Sequence, residues 1–239
     1  MSTQPKRSST GLIVGLVVAL VAGAAILFAV VGGRSSKKDV VVATPAVVST
    51  TTTAAGASSS TVAGPSVAAA ENQAVVVAGD ALADLPDGGK DPAIGKKAPT
   101  LNGFSFDGSP LSIAPGSGKP MLVVFVAHWC PHCQREVPRL VSWMTSAQAR
   151  TDLQISAVST GVAKDRGNYP PSAWLAKEKW TPPVLADSVD RDAAGAYGLT
   201  AYPYFVIVKA DGTVAFRGSG EITMIDLSAK LDEVLGKAA

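Results

Sequence analysis

The chain has 239 residues, 47% of them hydrophobic, a formal charge of +2 and only two cysteines. That length accommodates one full domain with extensions, and two cysteines exclude a fold stapled by several disulfides. The charge is split. Residues 1–70 carry five basic residues against one acidic, whereas residues 71–239 carry 16 against 18, a near-neutral body with no electrostatic footprint for nucleic acid.

Residues 1–10 read as a cytoplasmic N-terminus. Residues 11–31 are a stretch of 21 uncharged, mostly apolar residues, long enough as a helix to cross a bilayer core of ~30 Å. A cleavable signal peptide is the alternative. However, its apolar core is shorter, at ~7–15 residues, and Val31-Gly32-Gly33-Arg34 makes a poor cleavage site. The segment therefore reads as an uncleaved transmembrane signal anchor. Lys6 and Arg7 on one side and Arg34, Lys37 and Lys38 on the other leave orientation undecided by charge. The compartment decides it, because a lone disulfide-forming pair persists outside the cytoplasm. The expected location is the cell membrane, single-pass, with the domain on the extracytoplasmic side.

Residues 32–92 read as a flexible low-complexity linker, with a reach of roughly 40 Å if unstructured. Within it, residues 40–70 contain no charged or aromatic side chain and too little bulky apolar surface to offset chain entropy. Valine runs at 40–42 and 75–77 could pair as strands, and residues 79–85 could form a short helix, so residues 71–92 stay open. The compact domain spans residues 93–239. Residues 104–113 predict a hairpin around Asp107-Gly108. Residues 121–127 predict a buried strand, followed by a helix running to about Arg150, with Val137, Leu140, Val141 and Met144 on one face. A strand follows at 153–159, and a helix entered through two prolines at 170–180. Next come a short strand at 184–186, a short helix at 190–197, a strand at 205–208, a tight turn into a strand at 214–217, and a closing amphipathic helix bearing Met224, Leu227, Leu231, Val234 and Leu235. Strands alternating with helices indicate an α/β fold around a mixed sheet.

Both cysteines lie in Trp129-Cys130-Pro131-His132-Cys133, between the buried strand and its helix. Strand, Cys-x-x-Cys, helix is the context of a redox site. The attacking species is a thiolate, and Cys130 at a helix start has free N–H groups and the positive dipole end beside it. Cys130 is expected to be exposed and Cys133 more buried, one turn on, able to resolve a mixed disulfide at Cys130. Pro131 suits the first turn. An inert disulfide is the poorer reading, since so small a ring closes almost no chain loop. His132 between the cysteines is expected to favour the thiolate and make the disulfide more oxidising. No metal is expected, because His128, Cys130, His132 and Cys133 are too close in sequence to converge as a tetrahedron. His128 is expected on the site rim.

The chain resembles the thioredoxin superfamily. The resemblance rests on Trp129 with Cys130-Pro131-His132-Cys133, on Pro138 inside the following helix, and on Ala201-Tyr202-Pro203 before a hydrophobic strand. From Ile94-Gly95-Lys96-Lys97-Ala98-Pro99 to Leu235 it is similar to membrane-anchored, extracytoplasmic TlpA/ResA-like proteins, with a helical insertion between Cys130 and Pro203. This implies a thioredoxin-like fold and a cis peptide at Pro203, whose loop exposes the Tyr202 backbone to a substrate strand, with Trp129 packing beside the sulfurs. It also implies that Glu136 assists proton transfer, although an exposed glutamate paired with Arg139 or Lys119 would look the same in sequence. Val124 stands where thioredoxins bury an acid. The Pro-His dipeptide resembles that of DsbA oxidases, so dipeptide and scaffold point in opposite directions.

The expected activity is a membrane-tethered thiol–disulfide oxidoreductase exchanging disulfides with secreted or membrane proteins, in the oxidising direction. It uses no cofactor beyond the Cys130–Cys133 pair. Its partners are protein thiols or disulfides, with a membrane redox partner conceivable, and no nucleic acid. The alternatives are a specialised reductase, as in cytochrome c maturation, and a non-catalytic binding domain of the same fold.

Overall fold

The computed structural model describes residues 67–237. The expected N-terminus at 1–10, the signal anchor at 11–31, the valine strand at 40–42 and the linker up to residue 66 lie outside the described residues. No helix among the described residues is long and apolar enough to cross a membrane.

Eight strands and four helices follow in the order β1 (Val76–Ala78), β2 (Thr100–Phe104), β3 (Pro110–Ile113), β4 (Met121–Val126), α1 (Pro131–Met144), β5 (Gln154–Ser159), α2 (Pro171–Lys177), β6 (Val184–Ala186), α3 (Asp192–Ala196), β7 (Tyr204–Val208), β8 (Val214–Ser219) and α4 (Met224–Leu235). The main sheet has the order β6-β5-β4-β7-β8. Strands β4, β5 and β6 run parallel, whereas β7 and β8 are antiparallel additions. This is the mixed sheet that the alternating pattern predicts. A separate antiparallel sheet, β1-β2-β3, contains the expected hairpin.

Strand β4 is buried along its whole length, and its alternation divides the core in two. Leu122, Val124 and Val126 face a layer that includes Val137, Leu140 and Trp143 of α1, Trp174 and Leu175 of α2, and Leu227 and Leu231 of α4. Met121, Val123 and Phe125 face Leu101, Ile113, Ala93, Leu82 and the alanines of α3. Val124, at the position of the thioredoxin acid, is simply core.

Helix α1 is shorter than expected. It stops at Met144, capped at Thr145, and turns rather than helix follow. Pro138 lies inside it, where it removes one amide from the helical ladder.

The largest correction concerns residues 67–92, assigned above to a flexible linker. They form a strap bound to the domain. The Val67 N–H donates to Gly108 O at 2.9 Å and the Ala70 N–H to Phe106 O at 2.9 Å. Glu71 caps the start of α2 through the Ser172 N–H at 2.9 Å. Valines 76 and 77 do form a strand, paired with β2. Residues 79–85 are irregular rather than helical, with amides serving tertiary partners: Leu82 N–H donates to Ala196 O at 2.8 Å and Leu85 N–H to Gly198 O at 2.9 Å. The strap passes so close that a Cβ on Gly198 would lie 2.2 Å from Ala83 O.

An ion pair fastens the strap's end. The Arg217 side chain is fully buried; its Nε donates to Asp91 at 2.9 Å and its Nη1 donates to Ala83 O at 2.7 Å and Tyr197 O at 3.0 Å. Burial works against the Asp91 charge, but the hydrogen bonds from Arg217 and the Ala93 amide outweigh it and hold the carboxyl below its usual range. Removing one partner strands the other charge, at a cost of about 3–5 kcal/mol. Asp91→Ala should lower the unfolding free energy by about 3 kcal/mol in urea titration and open residues 79–93 to proteolysis. Asp91→Leu combined with Arg217→Met should recover most of that loss. Because the Asp91 pKa is depressed, its contribution is present above the unfolded carboxylate range and should fade as pH falls through the folded value.

Candidate active site

Three segments meet at one end of the main sheet: the turn from β4 into α1, the loop before β7, and the loop between β8 and α4. Cys130 is the residue before α1, with extended backbone at φ −75° and ψ 119° and Pro131 opening the helix. Its amide donates to Ala127 O at 3.0 Å, and its carbonyl accepts from the Gln134 N–H at 3.0 Å. Both cysteines carry free thiols. Cys133 is fully buried, as expected, but Cys130 is only 6% exposed, not open to solvent. The reason is the loop opposite. The Tyr202–Pro203 peptide is cis, and the Tyr202 carbonyl sits 3.9 Å from the Cys130 sulfur. A substrate strand entering beside Tyr202 would therefore pass directly over Cys130.

Burial pushes the Cys133 thiol strongly upward, and negative charge on Cys130 or Glu136 adds to the shift. Cys133 therefore stays protonated unless a nearby group accepts its proton. Glu136 is fully buried, not the exposed helix-face glutamate that sequence allows. Its Oε1 accepts from the Ile222 N–H at 3.4 Å, its Oε2 lies 3.5 Å from Arg139 Nη1, and that Oε2 has no hydrogen-bond partner among the described residues. Burial raises its pKa despite the Ile222 amide and Arg139. A buried carboxyl that holds a proton more readily than usual, three residues after Cys133, is suited to exchange one with it.

Trp129 donates its indole N–H to Gly161 O at 2.7 Å and meets Tyr202 edge-to-face at 5.8 Å, with the Arg166 guanidinium 5.2 Å from its ring centre. The Tyr202 hydroxyl is buried without a hydrogen-bond partner among the described residues, and burial raises its pKa. It packs tightly on Gly161, where a Cβ would come within 2.9 Å of it. Trp129, Tyr202 and Pro203 thus form one wall beside the sulfur.

His128 is not a rim residue. It is buried, its Nδ1 donating to Gly167 O at 2.8 Å and its Nε2 accepting from the Ala163 N–H at 3.1 Å. Both ring nitrogens hold the loop that carries Gly161 and Arg166. His132 is 57% exposed on its side chain and is turned toward Glu221, with Nδ1 2.7 Å from Oε1. Sequence reading missed Glu221 and Arg166. For Glu221 one signal was present: His132, Arg135 and Arg139 form a cationic stripe on one helix face and call for an acidic partner. Arg166 left none, since a loop arginine far from the motif is indistinguishable from a solvated one.

Residues 94–217 match the model of the AhpC/TSA family. The chain belongs to this family. It is 30% identical over 142 residues to the soluble secreted antigen MPT53 of Mycobacterium tuberculosis, covering 59% of this chain and 72% of that one. It is 24% identical to the thiol:disulfide interchange protein TxlA of Synechococcus elongatus, over 58% of each chain. A Chlorobium tepidum structure described as a DsbE-type thiol:disulfide interchange protein superposes with a TM-score of 0.50 at 19% identity, covering 60% of this chain and 98% of that one, which speaks to the fold alone. Together the matches make this chain a TlpA/ResA-like member of the thioredoxin superfamily and a thiol–disulfide oxidoreductase.

The raised Glu136 pKa makes a stability prediction. The folded state holds the Glu136 proton to higher pH than the unfolded chain does, so the ionised group destabilises the fold as pH rises past its folded pKa. Glu136→Gln should raise the melting temperature of the reduced protein at neutral pH and leave it near wild type at pH 4. Equal effects at both pH values would show that the carboxyl's charge is not what the site resists.

Proposed function

We propose that the protein is a membrane-tethered extracytoplasmic oxidase of thiols in secreted or membrane proteins. The observation that carries the direction is the Pro131-His132 dipeptide between the two cysteines. The apolar stretch at residues 11–31 supports the tether, and the secreted character in the name of the MPT53 relative supports the compartment.

In this reading a substrate thiolate attacks the Cys130 sulfur of the oxidised pair. The Cys130–Cys133 bond breaks, and Cys133 leaves as a thiolate that takes a proton, with Glu136 as the local source. A second substrate thiol then attacks the mixed disulfide and releases Cys130. Two electrons pass from the substrate to the pair, and no cofactor takes part. A membrane redox partner of disulfide or quinone class must reoxidise it. His132 tunes Cys130, Pro131 shapes the first turn, and Trp129, Tyr202 and Pro203 hold the substrate strand. A second reading, reduction, is favoured by the buried Glu136, which would serve equally to deprotonate Cys133 as it resolves a mixed disulfide.

Equilibration with glutathione separates the two. The oxidase reading expects a potential closer to the ~−120 mV of a strong oxidant than to the ~−270 mV of thioredoxin; a value near the latter gives the protein to the reductases. In either direction Cys130→Ser should abolish exchange. Cys133→Ser should accumulate a mixed disulfide at Cys130, visible by mass spectrometry. Cell fractionation tests the tether: a mature chain free in the medium and beginning after Arg34 would overturn it.

A further inference from the structure

The loop between β8 and α4 brings one carboxylate against His132, Arg135 and Arg139 of the active-site helix. Glu221 Oε1 lies 2.7 Å from His132 Nδ1 and accepts from Arg135 Nε at 2.9 Å, while its Oε2 accepts from Arg139 Nη1 at 2.7 Å. The next residue, Ile222, directs its amide at buried Glu136. Glu221 thus closes the stripe at helix positions 132, 135 and 139, from a residue 89 positions away in sequence.

The carboxylate has chemical consequences at both ends of the cluster. A carboxylate only accepts, so His132 Nδ1 carries a proton and donates it to Glu221. Arg135 Nη2 also approaches Nδ1, at 2.8 Å, and a guanidinium only donates. The two nitrogens are therefore neighbours on a shared acceptor oxygen rather than partners of each other. The His132 tautomer is fixed by Glu221, as a second carboxylate commonly fixes a working imidazole. A negative charge at Cys130 would favour the charged form of Arg135, after the hydrogen bond and charge of Glu221. The charge and donors of Arg135 are nonetheless directed to Glu221. Glu221 is well below its usual range, at about 2, through hydrogen bonds first from Arg135 and then from His132, so it is ionised wherever the protein works.

We propose that Glu221 is a positioning residue that sets the redox poise of the Cys130–Cys133 pair, holding it less oxidising than its Pro-His dipeptide alone would make it. The reactive form of the dithiol is a thiolate, which cations near it stabilise, whereas a disulfide carries no charge there. A fixed carboxylate among those cations therefore weakens the dithiol form selectively. Arg135 and Arg139 keep their charge when Glu221 is removed, so two permanent charges on the active-site helix would lose their compensation. This inference builds on the thiol–disulfide activity and would account for an oxidase-type dipeptide on a reductase-type scaffold. It does not depend on the direction proposed above, since it concerns a difference between variants.

The experiment is the glutathione equilibrium of the full-length chain at pH 7.5 for wild type, Glu221→Gln, Arg135→Gln and the double variant. Glu221→Gln should shift the equilibrium about tenfold toward the dithiol, ~30 mV more oxidising for a two-electron couple. Arg135→Gln should shift it the other way, and the double variant should fall back toward wild type. Urea unfolding of the oxidised and reduced forms runs alongside. If Glu221 only anchored its loop, both redox forms would lose stability equally and the potential would stay put; an unchanged or lowered potential in Glu221→Gln overturns the proposal. A wild-type potential near that of thioredoxin overturns only the oxidase reading and leaves the sign of the Glu221→Gln shift as the test.

Discussion

The site depends on the register of two central strands. Strand β4 pairs antiparallel with β7, with Phe125 opposite Tyr204. The residues leaving β4 and the residues entering β7 therefore emerge at the same end of the sheet. From one comes Cys130, from the other Tyr202 and Pro203, and the 3.9 Å approach of the sulfur to the Tyr202 carbonyl follows from that juxtaposition. A slip of one residue would exchange the two faces of β4. It would turn Phe125 and Val123 toward the helices and Val124 toward the second sheet. Because both faces are filled by different partners, the register is fixed by packing on both sides, and the chemistry inherits that rigidity.

Around this junction the burial of the two sulfurs differs in cause. Cys133 is enclosed by the helix and the core, which makes its charged form expensive. Cys130 is covered by the Tyr202–Pro203 loop, its sulfur 3.9 Å from the Tyr202 carbonyl. Trp129 and Tyr202 complete that cover, and the loop that anchors Trp129 is itself held by buried His128. A histidine expected on the site rim thus serves as a clamp, two residues before Cys130.

The strap over residues 67–93 illustrates a different kind of stabilisation. It contributes few bulky side chains, with Leu82 and Ala93 the residues that enter the core. What holds it is mostly backbone hydrogen bonding, the Glu71 cap on α2, and the Asp91–Arg217 pair.

The sequence by itself determined the reacting groups and their immediate frame. Cys130, Pro131, His132 and Cys133 are contiguous, and a buried strand before them and an amphipathic helix after them follow from periodicity. Pro203 was legible through its resemblance to a known loop. These features are local, and local patterns survive in a linear string. Tertiary structure decided the rest, because each remaining feature joins residues that are distant in sequence and unremarkable alone. Small, polar residues at 67–92 look like linker, since a backbone amide has no composition signature. Glu136 reads in sequence either as a proton-transfer residue or as an exposed glutamate, and the loop after β8, through the Ile222 amide, decides for burial. His128 became a clamp and Cys130 became covered only once loops from elsewhere in the chain were in place. Glu221 acquired meaning when β8 delivered it to the stripe formed by His132, Arg135 and Arg139. Charge compensation acts through space, and only the fold specifies which charges are near.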